Sequence, residues 1–308
     1  VLITWDVDPD LWIPLDKRLR RLQMAMGLCR ELDIRATFFF TAESAHVYAS
    51  EMEEMMRLGH EIGCHGLTHG NEENYDQMTA EMQKRYIGEA TEKLESLVKA
   101  PIRVFRSPRV KTSATMLKTL AEYGYLADSS VCSQRVDFIS SNLINIDWVF
   151  SPRRPYHPQW NNAFKRGDVP IWEVPVSAAV VPFISSAFRV LGFPFMKTLF
   201  KGLVMESRLT GKPIVYLAHP TEFAVGGKKK RRRTLRERLA KYLKPEYLKP
   251  SFIRTHGFRM RNILYRMNGS TLFSITQQLF DYMRSFTDVK FMTLGEYATY
   301  LSEREFPK

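Results

Sequence analysis

The chain has 308 residues, 44% apolar, 25% charged and 12% aromatic, a composition that suits a globular protein with a sizeable core. No window approaches 18 consecutive apolar residues, which excludes a membrane-spanning helix at the level of sequence. The net charge of +12 points to an anionic partner, and much of the excess sits in Lys228–Arg233 and the cations at 236, 238, 241 and 244. The opening Val-Leu-Ile-Thr-Trp reads as a core strand rather than a signal peptide, so the expected location is cytoplasmic or membrane-peripheral. Cys29, Cys64 and Cys132 are odd in number and widely spaced. They fit neither a disulfide framework nor a CxxC metal site and read as free thiols.

In chain order, Leu2 to Asp6 reads as a buried strand. Asp16 to Glu31 has helical spacing through Leu19, Leu22, Met26 and Cys29. Ile34 to Phe40 is a second strand, followed by a helix through Met52, Met55 and Leu58 that Gly59 stops, then a strand at Glu61 to Cys64. A long helix is expected over Tyr75 to Lys99, ended by Pro101. Further strand-like runs are Arg103 to Phe105, Tyr125 to Ala127, Ile171 to Val176 and Pro213 to Ala218. Residues 132–170 are proline-containing and loop-rich, and 226–270 read as a basic insertion. A helix from Leu272 to Phe286, a strand at Val289 to Met292 and a last helix from Leu294 complete the chain. The alternation predicts parallel βα units in one α/β catalytic domain spanning 1–308, and the length favours a barrel over an open sheet.

Four short motifs fall where predicted strands end, which is where barrel folds keep their active sites. In Thr4-Trp-Asp-Val-Asp8, two acids at i and i+2 project to one face of an apolar strand and need a cation beside them. In His65-Gly-Leu-Thr-His69, two imidazoles four residues apart can reach one metal. Phe105-Arg-Ser-Pro-Arg109 follows the fourth strand, and Leu217-Ala-His-Pro220 sets a histidine at the end of another. Each motif alone is weak. Their joint occurrence, each at a strand end, is hard to obtain by chance.

From Val1 to about Glu222 these motifs make the sequence resemble the polysaccharide deacetylase family, the family-four carbohydrate esterases. The HPTEF segment at His219 and the closing LFDYM…VKFMTLGEYATYL pattern extend the likeness. The resemblance implies a distorted (β/α) barrel and a divalent metal held by Asp8, His65 and His69, most simply Zn2+, with Co2+, Ni2+ or Mn2+ as substitutes. It further implies Asp6 as general base, Arg106 as the partner that orients it, the amide N–H of Arg109 facing the oxyanion, and His219 as general acid. Asp128, in Asp128-Ser-Ser130, and Pro108 would line the substrate site, with Asp128 orienting His219. The implied reaction removes an N-acetyl group from an amino sugar of a polysaccharide or glycan precursor.

General chemistry fits those roles. Three protein ligands leave the open position that a catalytic metal needs. A carboxylate beside a guanidinium is suited to take a proton from water, and a histidine can protonate a departing amine. Two departures stand out. The family's first motif commonly reads Thr-Phe-Asp-Asp-Gly, whereas here Val7 separates the acids, a form shared with deformylases of lipid-linked aminoarabinose. The third motif commonly ends in Gly, and Val110 fills that place here. The alternatives are therefore a deacetylase or deformylase of a lipid-linked amino sugar and a catalytically silent glycan-binding member.

Outside these motifs, the basic run Lys228–Arg233 reads either as a solvated face or as a contact for anionic lipid headgroups or an acidic glycan. Nucleic acid is not expected, since no aromatics interleave with the run and no nucleic-acid module is visible. His46, His60, His157 and His256 receive no role. Trp148, Trp160 and Trp172 read as core residues or sugar-stacking faces.

Overall fold

The computed structural model describes residues 1–134, 146–223, 265, 267 and 269–305. Seven strands form one sheet among them, every pair parallel. They are β1 (Leu2–Val7), β2 (Thr37–Phe40), β3 (Glu61–Cys64), β4 (Val104–Phe105), β5 (Ala127–Asp128), β6 (Trp172–Glu173) and β7 (Val215–Ala218), in the order β7-β1-β2-β3-β4-β5-β6. The gap between the two edges is spanned by the irregular chain after β6. Val176 N–H donates to Val131 O at 2.8 Å and Ser177 N–H to Val215 O at 3.2 Å. The sheet is thus a curled, incomplete barrel.

Helices α1 (Leu15–Glu31), α2 (Ala49–Arg57), α3 (Ala80–Val98), α4 (Ala114–Glu122), α5 (Ser185–Leu191), α6 (Phe193–Thr210), α7 (Gly269–Arg284) and α8 (Leu294–Glu305) accompany it. No helix of the described residues is long and apolar enough to cross a membrane.

Strand alternation sorts the core into two layers. Ile3, Trp5, Val7, Phe38, Phe40, Ile62, Cys64 and Phe105 pack outward against the helices. Leu2, Phe39, Val104, Ala127, Val174, Val215 and Leu217 fill the barrel interior. The sheet is therefore covered on both faces, which is why its strands read as near-continuous apolar runs. Gly63 belongs to the inner set, because a Cβ there would meet Phe39 Cδ1 at 2.5 Å and Val104 Cγ2 at 2.9 Å.

Three expectations are corrected. The helix expected from Tyr75 begins at Ala80, because Thr79 caps it by accepting from Met82 N–H at 3.3 Å and the preceding residues form turns. The expected strand at Val289 to Met292 is absent. Val1 and that segment exchange only two hydrogen bonds, Val1 N to Lys290 O at 2.7 Å and Met292 N to Val1 O at 3.1 Å, which is too few for a ladder. The loop-rich segment 132–170 holds a short helix (Ile146–Phe150) and a hairpin pairing Pro158–Gln159 with Asn162–Arg166. Most of the basic insertion, including Lys228–Arg233, lies outside the described residues, as do 135–145. The three cysteines are free and buried.

Candidate active site

The parity that fills the barrel also aims the site. On β1, Leu2 points inward and Ile3, Trp5 and Val7 outward, so Thr4, Asp6 and Asp8 share the inner face. The same alternation sends His65 inward after Cys64, Arg106 after Phe105 and His219 after Ala218. All the chemistry therefore collects at the C-terminal mouth of the barrel, as the strand-end motifs predict.

There, His65 Nε2 stands 3.3 Å and His69 Nε2 3.5 Å from Asp8 Oδ1. Ligand atoms of the three residues all lie within 4.8 Å of one another. Two ligands about 2.1 Å from one tetrahedral metal would be ~3.4 Å apart, so the spacing fits an ion. Asp8 Oδ1 is sealed from solvent and makes no hydrogen bond among the described residues, which leaves it the kind of orphan a cation satisfies. His65 Nδ1 is fastened to Arg106 O at 2.7 Å. That contact makes Nδ1 the donor and leaves Nε2 with its lone pair toward Asp8. The donor set therefore suits a divalent metal.

The electrostatics agree. Burial pushes Asp8 up, yet the imidazoles of His69, then His65 and His219, outweigh it and hold the carboxyl well below its ordinary range. For His65, burial opposes the charged form, but Asp6 and Asp8 carry the net shift upward. In His69 burial wins and the shift is downward.

Beside this cluster is a buried ion pair. Arg106 is fully buried and donates to Asp6 Oδ1 at 2.9 Å, Thr4 Oγ1 at 2.7 Å, Ser129 O at 2.9 Å and Ser129 Oγ at 2.9 Å, while its plane lies 4.6 Å from the Phe39 ring centre. Asp6 is thereby held on one side by Arg106, with its other oxygen 4.0 Å from His65 Nε2. His219 Nε2 is 3.8 Å from Asp8 Oδ2 and its Nδ1 is 3.9 Å from Glu222 Oε1, which Arg189 Nη1 approaches to 3.2 Å.

The structure corrects the expectation for Asp128. Strand pairing aligns Asp128 with Phe105 and Glu173, on the outward parity, while Ala127 faces the interior. Its fully buried carboxyl accepts from Ser130 Oγ at 2.6 Å, and Ser130 Oγ in turn accepts from Ser107 N–H at 2.8 Å. It therefore faces away from the mouth, and the carboxylates within 4 Å of His219 are those of Asp8 and Glu222. Burial, followed by mutual charge in the case of Glu173, raises both acids of this Asp128–Glu173 pair. Pro108 is buried as well, its Cγ over Gly66.

Arg109 and Val110 both adopt left-handed backbone, with φ 58° and 52°. That conformation explains why glycine suits the second position, and a β-branched residue there carries strain on the order of 1–3 kcal/mol. The Arg109 guanidinium turns back onto the histidine loop, to His69 O, Gly70 O, Glu73 O and Asn74 Oδ1. Glu73, fully buried, is the participant that the sequence does not announce. It accepts from the amides of Leu67, Thr68 and His69, and its only sequence signal is an acid four residues beyond His69.

The curled parallel barrel thus carries at its mouth an Asp-His-His cluster that could hold a metal ion and, beside it, a buried Asp–Arg pair. Residues 1–127 match the family model for polysaccharide deacetylases. Three solved structures share the fold at low identity. A protein of Mycobacterium smegmatis, named as a polysaccharide deacetylase, is 17% identical, with a TM-score of 0.59 over 99% of this chain and 91% of that one. One from Pseudomonas aeruginosa PAO1, named likewise, is 16% identical, with a TM-score of 0.56 over 94% and 74%. Puue allantoinase is also 16% identical, with a TM-score of 0.55 over 94% and 74%. No curated protein matches the sequence.

Proposed function

We propose that the protein is a metal-dependent hydrolase that removes an N-acetyl group from an amino sugar of a polysaccharide or glycan precursor. The observation that supports this most is the pairing of the Asp8–His65–His69 cluster with a separate buried carboxylate, Asp6, held by Arg106. The first can hold a metal; the second can handle a proton. A divalent metal, Zn2+ in the simplest case, would polarise the acyl carbonyl and activate water.

The remaining work falls to the chain. Asp6, oriented by Arg106, takes a proton from the attacking water. The Arg109 amide is the expected oxyanion donor, a role worth a few kcal/mol in related chemistry. His219, whose Nε2 is 3.8 Å from Asp8 Oδ2, gives a proton to the departing amine. The family match supports the acetyl group and the sugar; the allantoinase likeness is of fold alone and extends the substrates worth testing to non-sugar amides.

A second reading, a deacetylase or deformylase of a lipid-linked amino sugar, draws on the loop after Asp8. Leu11 and Trp12 are 78% and 81% exposed there, an apolar rim beside the site. The test is metal analysis of the purified protein together with acetate release from N-acetylglucosamine oligomers. Stoichiometric metal with acetate release supports the first reading. Metal with release only from a lipid-linked substrate supports the second. Failure to bind metal at saturating zinc refutes both.

A further inference from the structure

We propose that Glu73 and Arg109 form a clamp that presets the metal-binding loop, so that metal affinity depends on two side chains outside the ligand set. The inference rests on the metal reading given above. His69 is carried by an irregular loop, not by a helix or strand, so its backbone polar groups need partners from elsewhere. Glu73 supplies the acceptors. Its Oε1 receives Leu67 N–H at 2.7 Å and the Tyr75 hydroxyl at 2.9 Å. Its Oε2 receives Thr68 N–H at 2.8 Å, His69 N–H at 2.7 Å and Thr68 Oγ1 at 3.1 Å. Three successive amides converging on one buried carboxyl make a nest, a concave arrangement that suits an anion.

Arg109 supplies the donors for the same loop. Its Nη1 reaches His69 O at 3.1 Å, its Nη2 reaches Gly70 O and Glu73 O at 2.7 Å each, and its Nε reaches Asn74 Oδ1 at 3.0 Å. His69 stands between the two: its N–H is held by Glu73 and its carbonyl by Arg109. Both peptide groups that flank its Cα are therefore fixed. They hold it at φ 58°, a conformation that a non-glycine residue seldom adopts unaided. That backbone sets the imidazole 3.5 Å from Asp8 Oδ1. Gly66 completes the cradle, since a Cβ there would meet Glu73 Oε1 at 2.4 Å.

Glu73 and the Arg109 side chain are thus positioning groups that act through His69. A purely structural role would lower stability and leave the affinity of the folded protein alone, and metal binding separates the two. Zn2+ affinity is measured by chelator competition, and the Co2+ visible spectrum recorded, for the parent and for Glu73→Gln, Tyr75→Phe and Arg109→Gln, with a melting curve for each metal-free form. In Glu73→Gln an NH2 replaces one acceptor. Folded Glu73→Gln is expected to bind zinc on the order of 10–100-fold more weakly, the usual loss when a group behind a ligand is altered, with a changed Co2+ spectrum. Tyr75→Phe should weaken binding less, and Arg109→Gln to a similar extent as Glu73→Gln. Parental affinity and spectrum in folded Glu73→Gln overturn the proposal. If that variant does not fold, parental affinity in both Tyr75→Phe and Arg109→Gln overturns it instead. A parent that binds no metal overturns the metal reading and this inference with it, whereas a binding parent with unaffected variants overturns the clamp alone.

Discussion

Asp6→Asn separates proton handling from metal holding. Asp6 is 4% exposed, and Arg106 Nη1 donates to its Oδ1 at 2.9 Å. An asparagine oxygen can still accept that bond, but the charge pairing is lost. Removing one member of a buried ion pair typically costs about 3–5 kcal/mol. Here Arg106 keeps Thr4 Oγ1, Ser129 O and Ser129 Oγ, so the expected loss is nearer ~2–3 kcal/mol. A domain with a stability on the order of 5–15 kcal/mol survives that and remains folded. Turnover should fall by the worth of a general base, about 10²–10⁴-fold, or roughly 3–5 kcal/mol of barrier. Metal binding should persist, because the cluster that could hold the ion is Asp8, His65 and His69. His69→Ala, by contrast, should lose metal and turnover together. Metal content, acetate release and melting temperature are measured on the same preparations. Parental turnover in folded Asp6→Asn, or metal loss as deep as in His69→Ala, would refute the division of roles.

Three further outcomes are expected. His219→Ala should keep metal and lose amide hydrolysis by about 10²-fold or more, yet retain most of its activity on an activated aryl acetate, whose phenolate leaves without protonation; equal losses on both substrates would remove His219 from the acid role. Gly66→Ala places a Cβ 2.4 Å from Glu73 Oε1 and 2.8 Å from Pro108 Cγ at a φ of +76°, so it should destabilise by about 2–4 kcal/mol and weaken metal binding, and a melting temperature within error of the parent would contradict that. The Asp128–Glu173 pair gives a pH signature. Burial raises both acids above their unfolded values, so the native state holds more protons than the unfolded chain. The pair's contribution to stability is then fullest below the ordinary carboxylate range and falls as pH rises through the raised values. Glu173→Gln removes one of the two raised carboxyls, so the urea midpoint should vary less between pH 5 and 9, and profiles that stay parallel to the parent's would refute the pairing.

The site was legible in the sequence to the extent that strand parity and strand ends determine it. Asp6 and Asp8 share a face because they are two residues apart, and each of His65, Arg106 and His219 directly follows an apolar strand. Asp128 shows where that reading fails. Its motif also follows a strand, but which face it takes depends on its register against Phe105 and Glu173, and register between non-adjacent segments leaves no periodic mark on the chain.

The sequence does mark the ends of α6, with Gly192 and Pro194 at its start and Gly211 at its left-handed end. Glu73 and the reach of Arg109 were illegible for a deeper reason. Both side chains satisfy a loop's backbone, and backbone groups are the same at every position, so no residue pattern records which side chain will serve them. The candidate metal ligands can be read one by one, whereas the frame that aims His69 exists only once the third motif has folded back against the second.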